Sequence, residues 1–163
     1  MKWVSHKVIT GSIVFAVTGS PVMSVFSALG SVFPDAVEGF PNEANYARWR
    51  KNHRQLSHWF FPYLLVFCVL ISLAAFQGPV SVTTKEFVRI LQGHGYMQIF
   101  LLFVSYFSLG ALFHIAQDAI CGKVPGVTME ERVGVRLFKV GSPQEYGVVL
   151  VVLLAVSLIV KLF

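Results

Sequence analysis

The side chains of this 163-residue chain best equipped for chemistry are histidines and aspartates near the ends of apolar stretches. His114 and Asp118 lie four apart, so a helix there puts imidazole and carboxylate on one face, close enough to share a metal ion. His53 and His58 flank Arg54 in a basic segment, His6 opens the first apolar run, and Asp35 follows Pro34 at its end. Mixed imidazole and carboxylate donors suit zinc, manganese or iron better than calcium. Each residue alone has a plainer reading. His114 could be bonded inside a helix bundle, and His53, Arg54 and His58 could form a solvated loop on lipid headgroups. Asp35 could cap a turn, and Asp118 could pair with Lys123 or Arg136.

What must position these residues is a membrane bundle. Hydrophobic residues make up 55% of the chain and charged ones 13%, with a mean hydropathy of +0.68, which excludes an ordinary water-soluble domain. The expectation is a single all-α integral membrane domain over residues 1–163, a polytopic helical bundle. Three segments are read as crossings, which need roughly 20 apolar residues: His58 to Gln77, Met97 to Ala119, and Tyr146 to Val160, the last being the shortest, with Lys161 able to snorkel from its end. Val8 to Phe33 is too short for two crossings and is broken by Gly19, Ser20 and Pro21, so it predicts an N-terminal re-entrant hairpin of two half-helices. Ser20, Ser24 and Ala28 give its second half a small-residue stripe for close helix contact. The apolar pattern continues past any cleavage site, so the start reads as retained rather than as a signal peptide.

Charge sets the orientation. Arg48, Arg50, Lys51 and Arg54 lie in one inter-helix segment and Lys123, Arg132, Arg136 and Lys139 in another, whereas Gly78 to Tyr96 holds only Lys85 and Arg89. The two richer segments therefore face the cytoplasm of a bacterial-type inner membrane, and the C-terminus ends outside. The net charge of +5 is accounted for by these flanking residues, and no direct nucleic-acid partner is expected. His6, Asp35, His53, His58, His114 and Asp118 then converge on one membrane face, with His94 on the other. That convergence favours metal binding over the separate plainer readings. Trp3, Trp49 and Trp59 read as interfacial anchors. Glu145 reads as a supporting residue paired with Arg136 or Lys139, and Cys68 and Cys121 form no disulfide framework.

Five pieces in this order resemble one family: Ser5-His6; Gly30-Ser31-Val32-Phe33-Pro34-Asp35; His53-Arg54-Gln55-Leu56-Ser57-His58; His114-Ile115-Ala116-Gln117-Asp118; and Lys139 through Tyr146. The chain looks like the YdjM-type membrane-bound metal-dependent hydrolases, also described as LexA-binding inner-membrane hydrolases, with a more distant likeness to zinc-dependent phospholipase C. It departs from the family at Val37, where a second aspartate is usual and Glu38 stands one step on, and at Cys121, where threonine is usual. The resemblance implies metal-activated water attacking a phosphoester, and the expected place of the site at the membrane interface points to a lipid-borne one. The ion would be divalent, zinc ahead of manganese, on His6, Asp35, His53, His58, His114 and Asp118. Asp35 or Glu38 would be general base, and Arg54 would contact a phosphate oxygen. Two alternatives stay open: a non-catalytic metal-binding membrane protein that partners a regulator, and a transporter built on broken helices.

Overall fold

The first apolar run is broken where its residues dictate. In the computed structural model, which describes residues 1–40 and 42–162, helix α1 spans Trp3–Thr18 and α2 spans Pro21–Gly30. Gly19 closes α1 in the left-handed conformation at φ 64°, donating its N–H to the Phe15 carbonyl. Ser20 caps α2 by accepting from the Met23 N–H, and Pro21 takes the first helical turn, where a missing N–H costs nothing. The tip is tied to the loop beyond the first spanning helix. Ser81 donates its hydroxyl to the Thr18 carbonyl at 3.0 Å, and the Ser20 hydroxyl donates to the Val82 carbonyl.

Short elements follow at the opposite end: α3 (Phe33–Glu38), α4 (Tyr46–Asn52) and a single 3-10 turn (Leu56–His58). Helix α5 (Phe60–Gln77) then crosses to the hairpin tip, amphipathic α6 (Thr84–Gln92) runs at that far end, and α7 (Tyr96–Cys121) returns. A two-residue strand pair, β1 (Val124–Pro125) and β2 (Arg132–Val133), lies antiparallel with Val124 opposite Val133. Helix α8 (Pro143–Leu162) completes the chain. Three helices, α5, α7 and α8, are long and apolar enough to cross a membrane. They match the three expected spans to within a few residues, and the broken hairpin is also as expected. Helix α6 is the addition: Thr83 and Glu86 form a reciprocal capping box, and Phe87 and Ile90 pack toward Met23 and Leu102.

Helix α7 is the axis of the bundle. At 26 residues it is about 39 Å long, and it packs against α5, α2 and α1 while α5 and α8 leave most side chains uncovered, as lipid-facing helices do. The α2–α7 crossing is close because both helices present glycine. A Cβ at Gly30 would lie 1.9 Å from the Phe107 carbonyl oxygen, and one at Gly110 would lie 2.0 Å from that of Ser27. On its other side α2 meets α1 through the expected small-residue stripe, with the Ser24 hydroxyl donating to the Gly11 carbonyl at 2.7 Å. Glu145, fully buried, has different partners from those expected. It accepts from the Lys2 and Gly141 backbone N–H groups at 2.8 and 2.7 Å and from the Ser5 hydroxyl at 2.5 Å. A carboxylate at the N-terminus of α1 satisfies donors the helix cannot, and this fixes α1, with His6, against α8.

Candidate metal centre

Four side chains from three elements meet at the end of the bundle that holds the N-terminus: Asp35 from α3, His58 from the 3-10 turn, and His114 and Asp118 from α7. One donor atom of each lies within 4.8 Å of all the others, and both histidines and Asp118 are buried. His58 Nε2 and His114 Nε2 are 3.2 Å apart. Asp35 Oδ1 is 3.5 Å from each of these nitrogens, and Asp118 Oδ2 is 3.5 Å from His58 and 3.8 Å from His114. Bonds of about 2.0–2.1 Å to a tetrahedral ion separate its ligands by about 3.3 Å. These donors are spaced for one ion.

The hydrogen bonds behind the histidines point the same way. His114 Nδ1 is 2.7 Å from the Ser31 carbonyl oxygen, which can only accept, so that nitrogen carries the proton. His58 Nδ1 faces Glu38 Oε1 at 3.1 Å, and the same logic holds. Both Nε2 atoms are then left as lone pairs aimed at each other, an arrangement that needs a cation between them, either a proton or a metal. Asp35 Oδ1 is buried there with no hydrogen-bond partner. The donor set fits a divalent ion.

Without metal, a proton does that work. Burial disfavours a charged His58, but Asp118, Asp35 and Glu38 outweigh it and push its pKa up to about 10. Asp35 is pulled upward by burial, yet the His114 and His58 imidazoles beside it hold it well below the ordinary carboxylate range. Protonated His58 thus contributes stability that is fully present below its unfolded value near 6.5 and lost as pH rises through about 10. Metal must displace that proton. Apparent metal affinity should therefore rise about tenfold per pH unit between pH 6.5 and 9, with close to one proton released per ion, as titration calorimetry in buffers of different ionisation heat would show. A pH-independent affinity would contradict the assignment of His58.

The remaining expected residues surround the four. His6 is buried with its Nδ1 3.0 Å from Gln117 Oε1 and its ring stacked on His114 at 3.9 Å; its Nε2 has no hydrogen-bond partner and lies 3.4 Å from Asp118 Oδ1. His53 stands outside the group. Its Nδ1 is bound to Glu38 Oε2 at 2.5 Å, and its ring stacks on Trp49. Glu38 is occupied on both oxygens, by His53 on one and by the Ser57 hydroxyl, the Arg54 N–H and His58 on the other. Burial tends to raise its pKa, but His53, His58 and Ser57 hold it well below the ordinary value. Glu38 is thus an orienting group behind His58. Glu38→Gln should weaken metal binding about 10–100-fold, measured by competition with a chelator, because the imidazole loses its carboxylate partner.

Arg54 pairs with Asp118 Oδ2 at 2.8 Å, where Lys123 or Arg136 was the expected partner, and the Met1 amino group lies 2.7 Å from Asp118 Oδ1. Sequence reasoning missed three supports. Trp3, read as a membrane anchor, donates its Nε1–H to Asp35 Oδ2 at 3.1 Å. Gln117 bridges His6 and Thr10, and the Ser31 carbonyl sets the protonation of His114. The signals in the chain were Gln117, three residues after His114 on a helix, and Ser31, inside the Gly30 to Asp35 piece.

The cluster opens into a cavity of about 700 Å³ whose wall includes Asp35, Asp118, Arg54, Lys2, Trp3 and Phe40. No curated protein matches the chain, and no solved structure does. A family model described as YdjM inner membrane protein matches residues 1–162. With that match over nearly its whole length, three helices fit to cross a membrane and a buried Asp/His group able to hold a divalent ion, the chain belongs to the YdjM inner membrane protein family.

Proposed function

We propose that this protein is a membrane-bound metal-dependent phosphoester hydrolase whose site opens at the cytoplasmic face and acts on a lipid-borne substrate. The observation that carries the reading is a set of four donors within 4.8 Å of one another, two of which, Asp35 and Asp118, reach the wall of a 700 Å³ cavity that Arg54 also lines. His58, His114 and Asp118 would hold the ion, zinc ahead of manganese. A divalent ion there would supply an acidified water and polarise a phosphoryl oxygen. Asp35 is held ionised, and its unpartnered Oδ1 would accept a proton from such a water. Arg54 spends one nitrogen on Asp118 while its Nε–H has no partner, so it can donate to a phosphate oxygen. Trp3 holds Asp35 in place through Oδ2. The site shares its end of the bundle with the basic segments, which supports the cytoplasmic orientation and a lipid phosphate as substrate.

One observation favours a second reading. If Asp35 also ligates, four protein donors close a tetrahedral shell, which suits a structural ion in a non-catalytic protein that partners a regulator. Asp35→Asn separates the two. Metal content and phosphate release from phosphatidate in nonionic micelles should be measured together on the zinc- or manganese-loaded protein. Hydrolysis predicts that the variant keeps its metal and loses about 10²–10⁴-fold in rate. An inert wild type, with a variant that also loses its metal, would leave the structural reading.

A further inference from the structure

A second cavity, about 450 Å³, adjoins the first and shares His53, Arg54 and Val140 with it. Its own lining includes Arg136 and Lys139 and no carboxylate, whereas the first cavity carries Asp35 and Asp118. Among the described residues neither Arg136 nor Lys139 has an ion-pair partner, and both are exposed. Arg54 forms the shared wall. It reaches Asp118 through one terminal nitrogen, and the other lies where a Cβ on Gly122 would come within 2.5 Å. Its backbone is at φ 60°, a conformation rare for an arginine. Glu38 accepting the Arg54 N–H at 3.0 Å and Arg132 donating to its carbonyl at 2.6 Å hold it there. The wall is therefore fixed in place, with acids on one side and unpaired cations on the other.

We infer that the two cavities form one bipartite site for an ester carrying two linked phosphate groups, a diphosphate. This deepens the hydrolase reading and rests on it. The terminal phosphate would face Asp35, Asp118 and the unpartnered Arg54 Nε–H, and the inner phosphate would lie against Arg136 and Lys139. A single phosphate held at Arg54 beside Asp35 and Asp118 leaves those two cations unmatched. A second phosphate, one bridging oxygen away, is drawn across the Arg54 wall to the adjoining cavity because that cavity is cationic and the carboxylates lie in the first. In the reaction, water adds at the terminal phosphorus and the bond from that phosphorus to the bridging oxygen breaks. Orthophosphate and a monophosphate ester leave, and one proton passes to solvent. Arg136 and Lys139 would stabilise the charge that develops on the departing ester.

The same cations could instead sit on anionic lipid headgroups, and binding in the absence of lipid distinguishes the two. Equilibrium dialysis of radiolabelled pyrophosphate and of orthophosphate should be run on detergent-purified, metal-loaded protein in nonionic micelles. The comparison is between wild type and Arg136→Gln with Lys139→Gln, with metal content assayed afterwards in every sample. The wild type should bind pyrophosphate at least about tenfold more tightly than orthophosphate, and the double variant should lose that preference with orthophosphate affinity unchanged. Equal affinity for the two anions in the wild type, or a preference that survives the substitutions, overturns the inference and leaves Arg136 and Lys139 to the membrane surface. Failure of the hydrolase reading looks different: it is an absence of metal or of phosphate release from a monoester, measured independently of this preference.

Discussion

Asp118→Ala should yield protein with essentially no bound metal and a melting transition lowered by about 3–5 kcal/mol in stability. Asp118 is buried between the Met1 amino group, the Arg54 guanidinium and the His58 imidazole, at 2.7, 2.8 and 3.5 Å. Its loss removes a ligand and at the same time leaves positive groups facing one another without a counter-charge, and a buried charge stripped of its partner costs far more than the pair contributed. Asp118→Asn keeps the volume and two of the acceptor sites, so it should recover part of the stability and none of the metal. Elemental analysis and thermal unfolding in one detergent check both statements. Full metal occupancy in the alanine variant would remove Asp118 from the site.

Gly110→Val should be nearly as severe, although Gly110 is no ligand. Its Cβ would lie 2.0 Å from the Ser27 carbonyl oxygen and 2.8 Å from the Ser31 nitrogen, backbone atoms that cannot swing aside as a flexible side chain would. Helices α2 and α7 must then separate, and overpacking of this kind costs about 1–3 kcal/mol or more. Separation also withdraws the Ser31 carbonyl and Asp35 from His114, so metal content should fall together with stability. Gly147 of α8 is the control, because nothing lies within 4 Å of an added Cβ. Gly147→Ala should be neutral or gain up to about 1 kcal/mol from helix propensity. Equal effects at the two positions would mean that the close crossing does not hold the site together.

The spans were legible because lipid imposes a length and a composition on any crossing, and Phe60–Gln77 and Tyr96–Cys121 carry both in their sequence. The break at Gly19-Ser20-Pro21 was legible for a local reason: the residues that end one helix and begin the next are adjacent in the chain. His114 and Asp118 were legible through helical periodicity alone. Trp3, Glu38 and Glu145 were not assigned their observed partners, since each acts through a contact with a segment far away in the chain, and neither period nor composition encodes that. A tryptophan near a membrane surface has the same sequence signature whether it meets a headgroup or, as here, the carboxylate of Asp35. Helix α6 was passed over because its nine residues alternate charge with apolar side chains inside a loop, although Thr83 and Glu86 carried a legible start signal.

Helix α2 ends after ten residues, at Gly30, well short of a crossing. The last carbonyls of any helix lack a partner further along the same helix, and in a truncated one those acceptors appear inside the bundle rather than in water. The Ser31 carbonyl is spent on the His114 imidazole, which sets the tautomer of that ring. A hairpin long enough to reach the membrane surface would have offered that acceptor to solvent, and His114 would be free to turn an N–H toward the cavity and repel a cation. The incompleteness of one helix is thus what makes its neighbour a Lewis base.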